Sequence, residues 1–251
     1  MGVYNIFFSP TGGTKKVADC LCREFGGDVK EIDLSLREKK EIELSSDDTA
    51  FVSVPSFSGR VPAFAVDAIK RIKPNGASAV AVVVYGNRAY DDTLIELQDV
   101  LLSIGFKCKA AVAAVAEHSI MHCYGAGRPD DADIAELKAF SKKIRSAVSD
   151  SDKVSVDVPG NRPYKLLGKG ALKPFATDEC VYCGECSARC PVGAINPDDP
   201  KSTDEEKCIS CMRCVSVCPQ KARKVDDSLL AALTERLKDA CSSRKENELY
   251  L

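Results

Sequence analysis

The chain has 251 residues, a net charge of -2 and a 45% hydrophobic fraction, more than a typical single domain needs. The near-neutral balance gives no footing for nucleic acid. No apolar run approaches the roughly 18 to 20 residues that span a bilayer, and Met1-Gly2-Val3-Tyr4-Asn5-Ile6 lacks the Ser or Thr of a myristoylation signal, so a cytoplasmic location is expected.

Strand-length apolar runs occur at 3–8, 29–34 (weaker), 50–54, 79–85 and 110–116. Amphipathic stretches with helical spacing lie between and after them, at 14–25, 62–72, 91–104 and 130–148. Short strands separated by helices imply crossover connections and a parallel sheet covered on both faces, an α/β class. Ligands of such sheets bind at the carboxyl ends of the strands.

The loop after the first strand, Ser9-Pro10-Thr11-Gly12-Gly13-Thr14-Lys15, sets hydroxyls and two glycines before a helix N-terminus. Unpaired amides and the helix dipole favour an anion there, Gly12 and Gly13 allow close backbone approach, and Ser9, Thr11 and Thr14 add donors. A phosphate monoester fits, as does an ordinary turn with Thr14 as a helix cap. Neither a Walker pattern nor G-x-G-x-x-G is present.

Ser9-x-Thr11-Gly12-x-Thr14 after the first strand resembles the phosphate loop of the flavodoxin family, whose members bind flavin mononucleotide (FMN). The resemblance spans about residues 1–149 and implies a doubly wound five-stranded parallel sheet of order 2-1-3-4-5. It also implies two ring-binding loops. These are Ser56, Phe57, Ser58 and Gly59 after the third strand, and Tyr85, Gly86, Asn87 and Tyr90 around the end of the fourth. Phe57, Tyr85 and Tyr90 are candidate stacking residues, and the amides around Gly86 and Asn87 candidate partners of the ring's pyrimidine edge. The chain departs from many flavodoxins in having no tryptophan. Arg60 is a candidate partner for the phosphate or for a partner's carboxylate.

The segment 117–130 holds the only two histidines, His118 and His122, close to Cys123. A long polar loop covering a cofactor accounts for them better than a metal site or a nucleophile with its base. Cys20, Cys22, Cys108 and Cys241 read as packing residues. Residues 150–175 read as an irregular connector with five Lys or Arg against one Asp between 153 and 175. Such a strip would lie against the acidic cysteine-rich module that follows it, guide an acidic partner, or stay solvated.

Residues 176–226 carry Cys180, Cys183, Cys186, Cys190-Pro191 and then Cys208, Cys211, Cys214, Cys218-Pro219, each run reading C-x2-C-x2-C-x3-C-P. This resembles the bacterial ferredoxins, in which three thiolates of a run hold one [4Fe-4S] cube and the fourth crosses to the other. The resemblance implies Cys180, Cys183, Cys186 and Cys218 for one cluster and Cys208, Cys211, Cys214 and Cys190 for the second, in a small α+β domain. A structural zinc site needs four ligands, whereas eight cysteines fall here in two matching runs. From 227 to 251 a terminal helix is expected, with Leu229, Leu230, Leu233 and Leu237 at helical spacing, packed on one of the two domains.

Over nearly its full length the chain resembles the flavodoxin-ferredoxin fusion proteins of anaerobic bacteria. The resemblance implies electron transfer between two [4Fe-4S] clusters and FMN, with an external redox protein or a small-molecule acceptor as partner. A ferredoxin-fed, FMN-dependent reductase of a small substrate and a redox or oxygen sensor are the alternatives.

Overall fold

A computed structural model describes residues 1–37, 41–150, 153–168, 170 and 172–251. Its first part alternates β1 (Val3–Phe7), α1 (Gly13–Phe25), β2 (Val29–Asp33), β3 (Ile42–Glu43), β4 (Thr49–Pro55), α2 (Ala63–Ile69), β5 (Ile72–Lys73), β6 (Ser78–Tyr85), α3 (Thr93–Ser103), β7 (Lys107–Val115) and α4 (Asp131–Val148). The five long strands run parallel in the order β2-β1-β4-β6-β7, which in chain order is 2-1-3-4-5, the flavodoxin-like winding.

All eight residues of β6 are buried, because helices cover both faces of the sheet. On one face α1 presents Val17, Leu21 and Phe25, and α4 presents Leu137, Phe140 and Ile144, against Phe51, Val80 and Val112. On the other, Leu94, Leu97 and Leu101 of α3 and Ala65 and Ile69 of α2 meet Val52, Ala81 and Ala113. Alternate strand residues thus feed opposite cores. Asp130 caps α4 through a reciprocal pair with Asp133, each side chain accepting from the other's backbone N–H.

The helix expected over 62–72 stops at Ile69, because Ile72–Lys73 pairs in parallel with Ile42–Glu43 as a separate two-stranded ladder. The sheet also has a sixth strand, β10 (Glu248–Tyr250), antiparallel to β7 with Leu249 opposite Val112. The last residues of the chain therefore complete the first domain and cover the exposed edge of β7.

Between α4 and β10 lie β8 (Phe175–Ala176), α5 (Glu185–Ala188), α6 (Arg213–Ser216), β9 (Arg223–Lys224) and α7 (Asp227–Cys241). β8 and β9 form an antiparallel pair that closes the small cysteine-rich domain. Leu230, Leu237 and Cys241 of α7 rest on Met121 and Tyr124 of the first domain.

The basic connector touches both domains: at its far end Lys173 Nζ donates to Cys208 O and Pro174 O accepts from Arg223 Nη1 (3.3 Å), both on the cysteine-rich domain, while its earlier part lies on the first domain. That earlier part is strapped to the carboxylates of α3 and the loop before it. Asp92 accepts from Asn161 N (2.8 Å), Asn161 Nδ2 (3.0 Å) and Lys165 N (2.7 Å), and Arg162 pairs with Asp99. Lys169 falls outside the described residues. Arg60, a candidate for a phosphate or a partner carboxylate, instead forms a bidentate pair with Glu96 at 2.7 Å and donates to Lys165 O.

Candidate functional site

The cysteine runs wrap two cavities. Cys180, Cys183, Cys186 and Cys218 line the first, and Cys190, Cys208, Cys211 and Cys214 the second. Each cavity takes three thiols from one run and the fourth from the other. Tight backbone makes this possible: Gly184, Ser210 and Met212 all adopt positive φ (76°, 54° and 61°), turning the chain around the cavity walls. The two halves repeat one another in detail. Ala194 N donates to Cys190 Sγ and Ala222 N to Cys218 Sγ, both at 3.3 Å.

Burial pushes the Cys211 thiol up to about 11 and the Cys214 thiol up to about 12, with neighbouring thiols adding to the shift. Four converging thiols in so apolar a cavity are costly as bare thiolates, and become favourable ligands when iron supplies the compensating charge. The donor set therefore fits a thiolate-bound cluster in each cavity.

The anion loop lies at the carboxyl end of β1. Gly12 takes φ 93° at the start of α1 and, having no side chain, offers the helix no cap of its own. A Cβ built on Gly12 would meet nothing within 4 Å, so the space over the loop is open. Ser9 Oγ accepts from Lys15 N at 2.9 Å, which fixes the loop's curvature. Thr14 is buried and Thr11 exposed. Lys15 is turned away: its ammonium binds Asp19 at 2.8 Å and Glu31 at 2.9 Å. Backbone amides and hydroxyls are thus the anion-binding groups that this segment offers, and they fit a phosphate.

The two further loops approach one another at the same end of the sheet. Asp92 N donates to Gly59 O at 3.1 Å, and Ser56 Oγ lies 2.7 Å from Thr93 Oγ1. Phe57 packs edge-on against Phe8, and Ser58 and Asn87 take positive φ. Tyr85 and Tyr90 meet ring to edge at 5.3 Å and join the core, with the Tyr90 hydroxyl donating to Glu248 Oε2 at 2.8 Å. Burial raises both phenols, Tyr85 to about 12 and Tyr90 further.

The C-terminal tail also holds Asn87. Its Nδ2 donates to Cys241 O (2.6 Å) and Ser243 O (3.0 Å), and its Oδ1 accepts from Lys245 N. The polar atoms of Tyr85, Tyr90 and Asn87 are thus bonded to the C-terminal segment, and Phe57, like Tyr90, is half-buried against the core. His118 packs on Gly86, where a Cβ would come within 2.5 Å of its Cδ2.

The second cavity abuts the anion loop. Arg213, beside Cys214, donates from Nη1 to Ser9 O (3.1 Å) and Pro10 O (3.2 Å), and Ser216 Oγ reaches Pro10 O at 3.5 Å. Arg37, after β2, donates to Cys190 O (2.8 Å) and Ser187 O (2.9 Å). Ile209 packs against the core of the first domain. The first cavity has an exposed rim: Val181 is 60% and Tyr182 57% exposed, and Cys183 is exposed beside them.

The remaining candidates serve the loop and the core. His118 Nδ1 accepts from Ile120 N and Met121 N at 3.1 Å, and burial pulls its basicity down to about 4. His122 pairs with Glu117 at 2.7 Å. Cys22, Cys108 and Cys241 are buried, and burial raises all three thiols. Cys20 faces Ile134 O of α4. Arg37, Arg213 and the C-terminal tail escaped the sequence analysis because their partners lie more than a hundred residues away.

Residues 179–223 match the family model of the 4Fe-4S dicluster domain. No curated protein matches the chain. Among solved structures, it is similar to a flavodoxin of Streptococcus pneumoniae TIGR4 (16% identity, 58% of this chain and 99% of that one, TM-score 0.42). It is also similar to a flavodoxin from the domain Archaea (16% identity, 60% and 100%, TM-score 0.41). A third match is rubredoxin oxygen:oxidoreductase from the anaerobe Desulfovibrio gigas (18% identity, 59% and 36%, TM-score 0.44). By its own strand order and this family match, the chain joins a flavodoxin-like α/β domain to a ferredoxin-type iron-sulfur domain.

Proposed function

We propose that the protein is an electron-transfer iron-sulfur flavoprotein. It would hold one [4Fe-4S] cluster on Cys180, Cys183, Cys186 and Cys218 and another on Cys190, Cys208, Cys211 and Cys214. FMN would sit on the loops that begin at Ser9, Ser56 and Tyr85. The observation that carries this reading is the direct seating of the second cysteine cavity on the anion loop through Arg213 and Ser216. When bound, the clusters supply one-electron chemistry and the flavin one- or two-electron chemistry.

The chain's own residues do the rest. Gly12, Gly13 and the Ser9, Thr11 and Thr14 hydroxyls bind the phosphate, Phe57 and the backbone at 86–88 flank the ring, and the cysteine cavities supply the thiolates. The exposed rim at Val181 and Tyr182 is the face for an external redox protein.

Protein purified without oxygen should contain about eight irons, eight sulfides and one FMN per chain. Stoichiometric iron with no flavin after FMN is added would refute the flavoprotein half of the proposal. Near-stoichiometric zinc in place of iron would refute the other half.

A further inference from the structure

The contact between the two domains places a cation against the back of the anion loop. Arg213 is only 13% exposed. Its Nη1 donates to two consecutive carbonyls of the loop, Ser9 O and Pro10 O, and its Nε is buried with no hydrogen-bond partner among the described residues. Among the described residues its carboxylate partner is Asp33 Oδ2 at 3.8 Å, and that carboxylate already accepts from Ser35 N and Ser35 Oγ through its other oxygen. The guanidinium is therefore incompletely neutralised in a place where water is scarce.

A planar trans peptide points its C=O and N–H in opposite directions. With Pro10 O held toward the cysteine-rich domain by Arg213 and Ser216, Thr11 N–H is turned to the other side, toward the open space above Gly12. The loop's own lysine is committed to Asp19 and Glu31. Arg213 thus orients a donor of the anion site and brings to its back a positive charge that a dianion would complement.

We propose that Arg213 is a positioning residue that couples the second cluster cavity to the flavin phosphate, so that filling either site strengthens the other. This inference rests on the proposed function and deepens it. Arg213 adjoins Cys214 on α6, a four-residue helix, and both residues line the second cavity. Cluster loss would release α6 and with it the hold on Pro10. Linkage requires the same factor in both directions, and about tenfold lies within the usual range of such couplings.

The test measures dissociation constants of FMN and of riboflavin, which lacks the phosphate, on the full chain with its clusters. Arg213→Met should weaken FMN about tenfold and leave riboflavin unchanged, with Arg213→Lys recovering part of the loss. Cys211→Ala, at the second cavity, should weaken FMN to the same degree, whereas Cys183→Ala, at the first, should not. FMN affinity within twofold of wild type in both Arg213→Met and Cys211→Ala would overturn the coupling while leaving the flavin site intact. Equal weakening of FMN and riboflavin would overturn it as well, because the effect would then not pass through the phosphate. If the wild-type protein binds neither compound, the flavin proposal fails and takes this inference with it.

Discussion

Replacing Asn247 with Ala isolates what the C-terminal tail does for the first domain. Asn247 is buried beside the carboxyl end of β7. Its Oδ1 accepts from Val115 N at 2.9 Å, and its Nδ2 donates to Asp133 Oδ1 at 3.0 Å and Glu136 Oε2 at 2.7 Å. The substitution leaves a buried amide without an acceptor, at a cost of about 1–3 kcal/mol, and removes donors to two carboxylates, worth about 1.5–3 kcal/mol for a hydrogen bond to a charged group. Arg128 and Arg244 still pair with Asp133, so the second loss is only partial.

A net destabilisation of about 3 kcal/mol follows, about a hundredfold in the equilibrium for releasing the tail. Hydrogen exchange read on peptides covering 107–116 and 244–251 measures it, and should show both segments losing protection together. Asn247→Asp should be at least as damaging, since it sets a third carboxylate beside Asp133 and Glu136. Less than a threefold change in exchange at both segments would refute the reasoning, because the tail would then not depend on this side chain.

The crossed ligand sets make Cys190→Ala and Cys183→Ala distinguishable: each should cost about four irons, from different clusters with different paramagnetic signatures, and loss of the same cluster in both would break the assignment. Thr11→Val with Thr14→Val should weaken FMN by at least tenfold without changing iron content, as judged by flavin fluorescence quenching; unchanged retention would remove the hydroxyls from the phosphate site. Lys165 N–H and Asn161 hold the Asp92 carboxyl, and Arg162 the Asp99 carboxyl, below the usual carboxylate range. Folded pKa values below the unfolded ones mean that this stabilisation is complete above about pH 4 and fades as pH falls through the depressed values. Amide protection at Asn161 and Lys165, corrected for intrinsic rates, should therefore drop between pH 4 and pH 2 and stay flat from pH 5 to 7.

Local patterns made most of the first domain and both cysteine runs legible. β1, β4, β6 and β7 announce themselves as apolar runs because both faces of the sheet are covered, and the helices by their spacing, because each buries one stripe. Three of the four thiols of each cavity follow from the x2 steps, which are constraints within a single loop, whereas the fourth comes from the other run. The anion loop is equally local: its glycines, hydroxyls and helix start are consecutive residues.

What only the tertiary structure decided is how these parts meet. Ile72–Lys73 has helical neighbours on its N-terminal side, yet becomes a strand because Ile42–Glu43 offers a ladder. Glu248–Tyr250 is too short to be read as a strand alone, and exists because β7 would otherwise present an open edge. Tyr85 and Tyr90 are candidate stacking residues by position, and only the fold adds that their hydroxyls bond to Glu246 and Glu248 of that same tail. Arg213 is one more basic residue between two cysteines until the fold brings it against Ser9 and Pro10. Periodicity and loop chemistry act over a few residues and are written in the order of the amino acids. Pairing across more than a hundred residues depends on which surfaces are left uncovered once the local elements have formed, and that is settled only when the whole chain is packed.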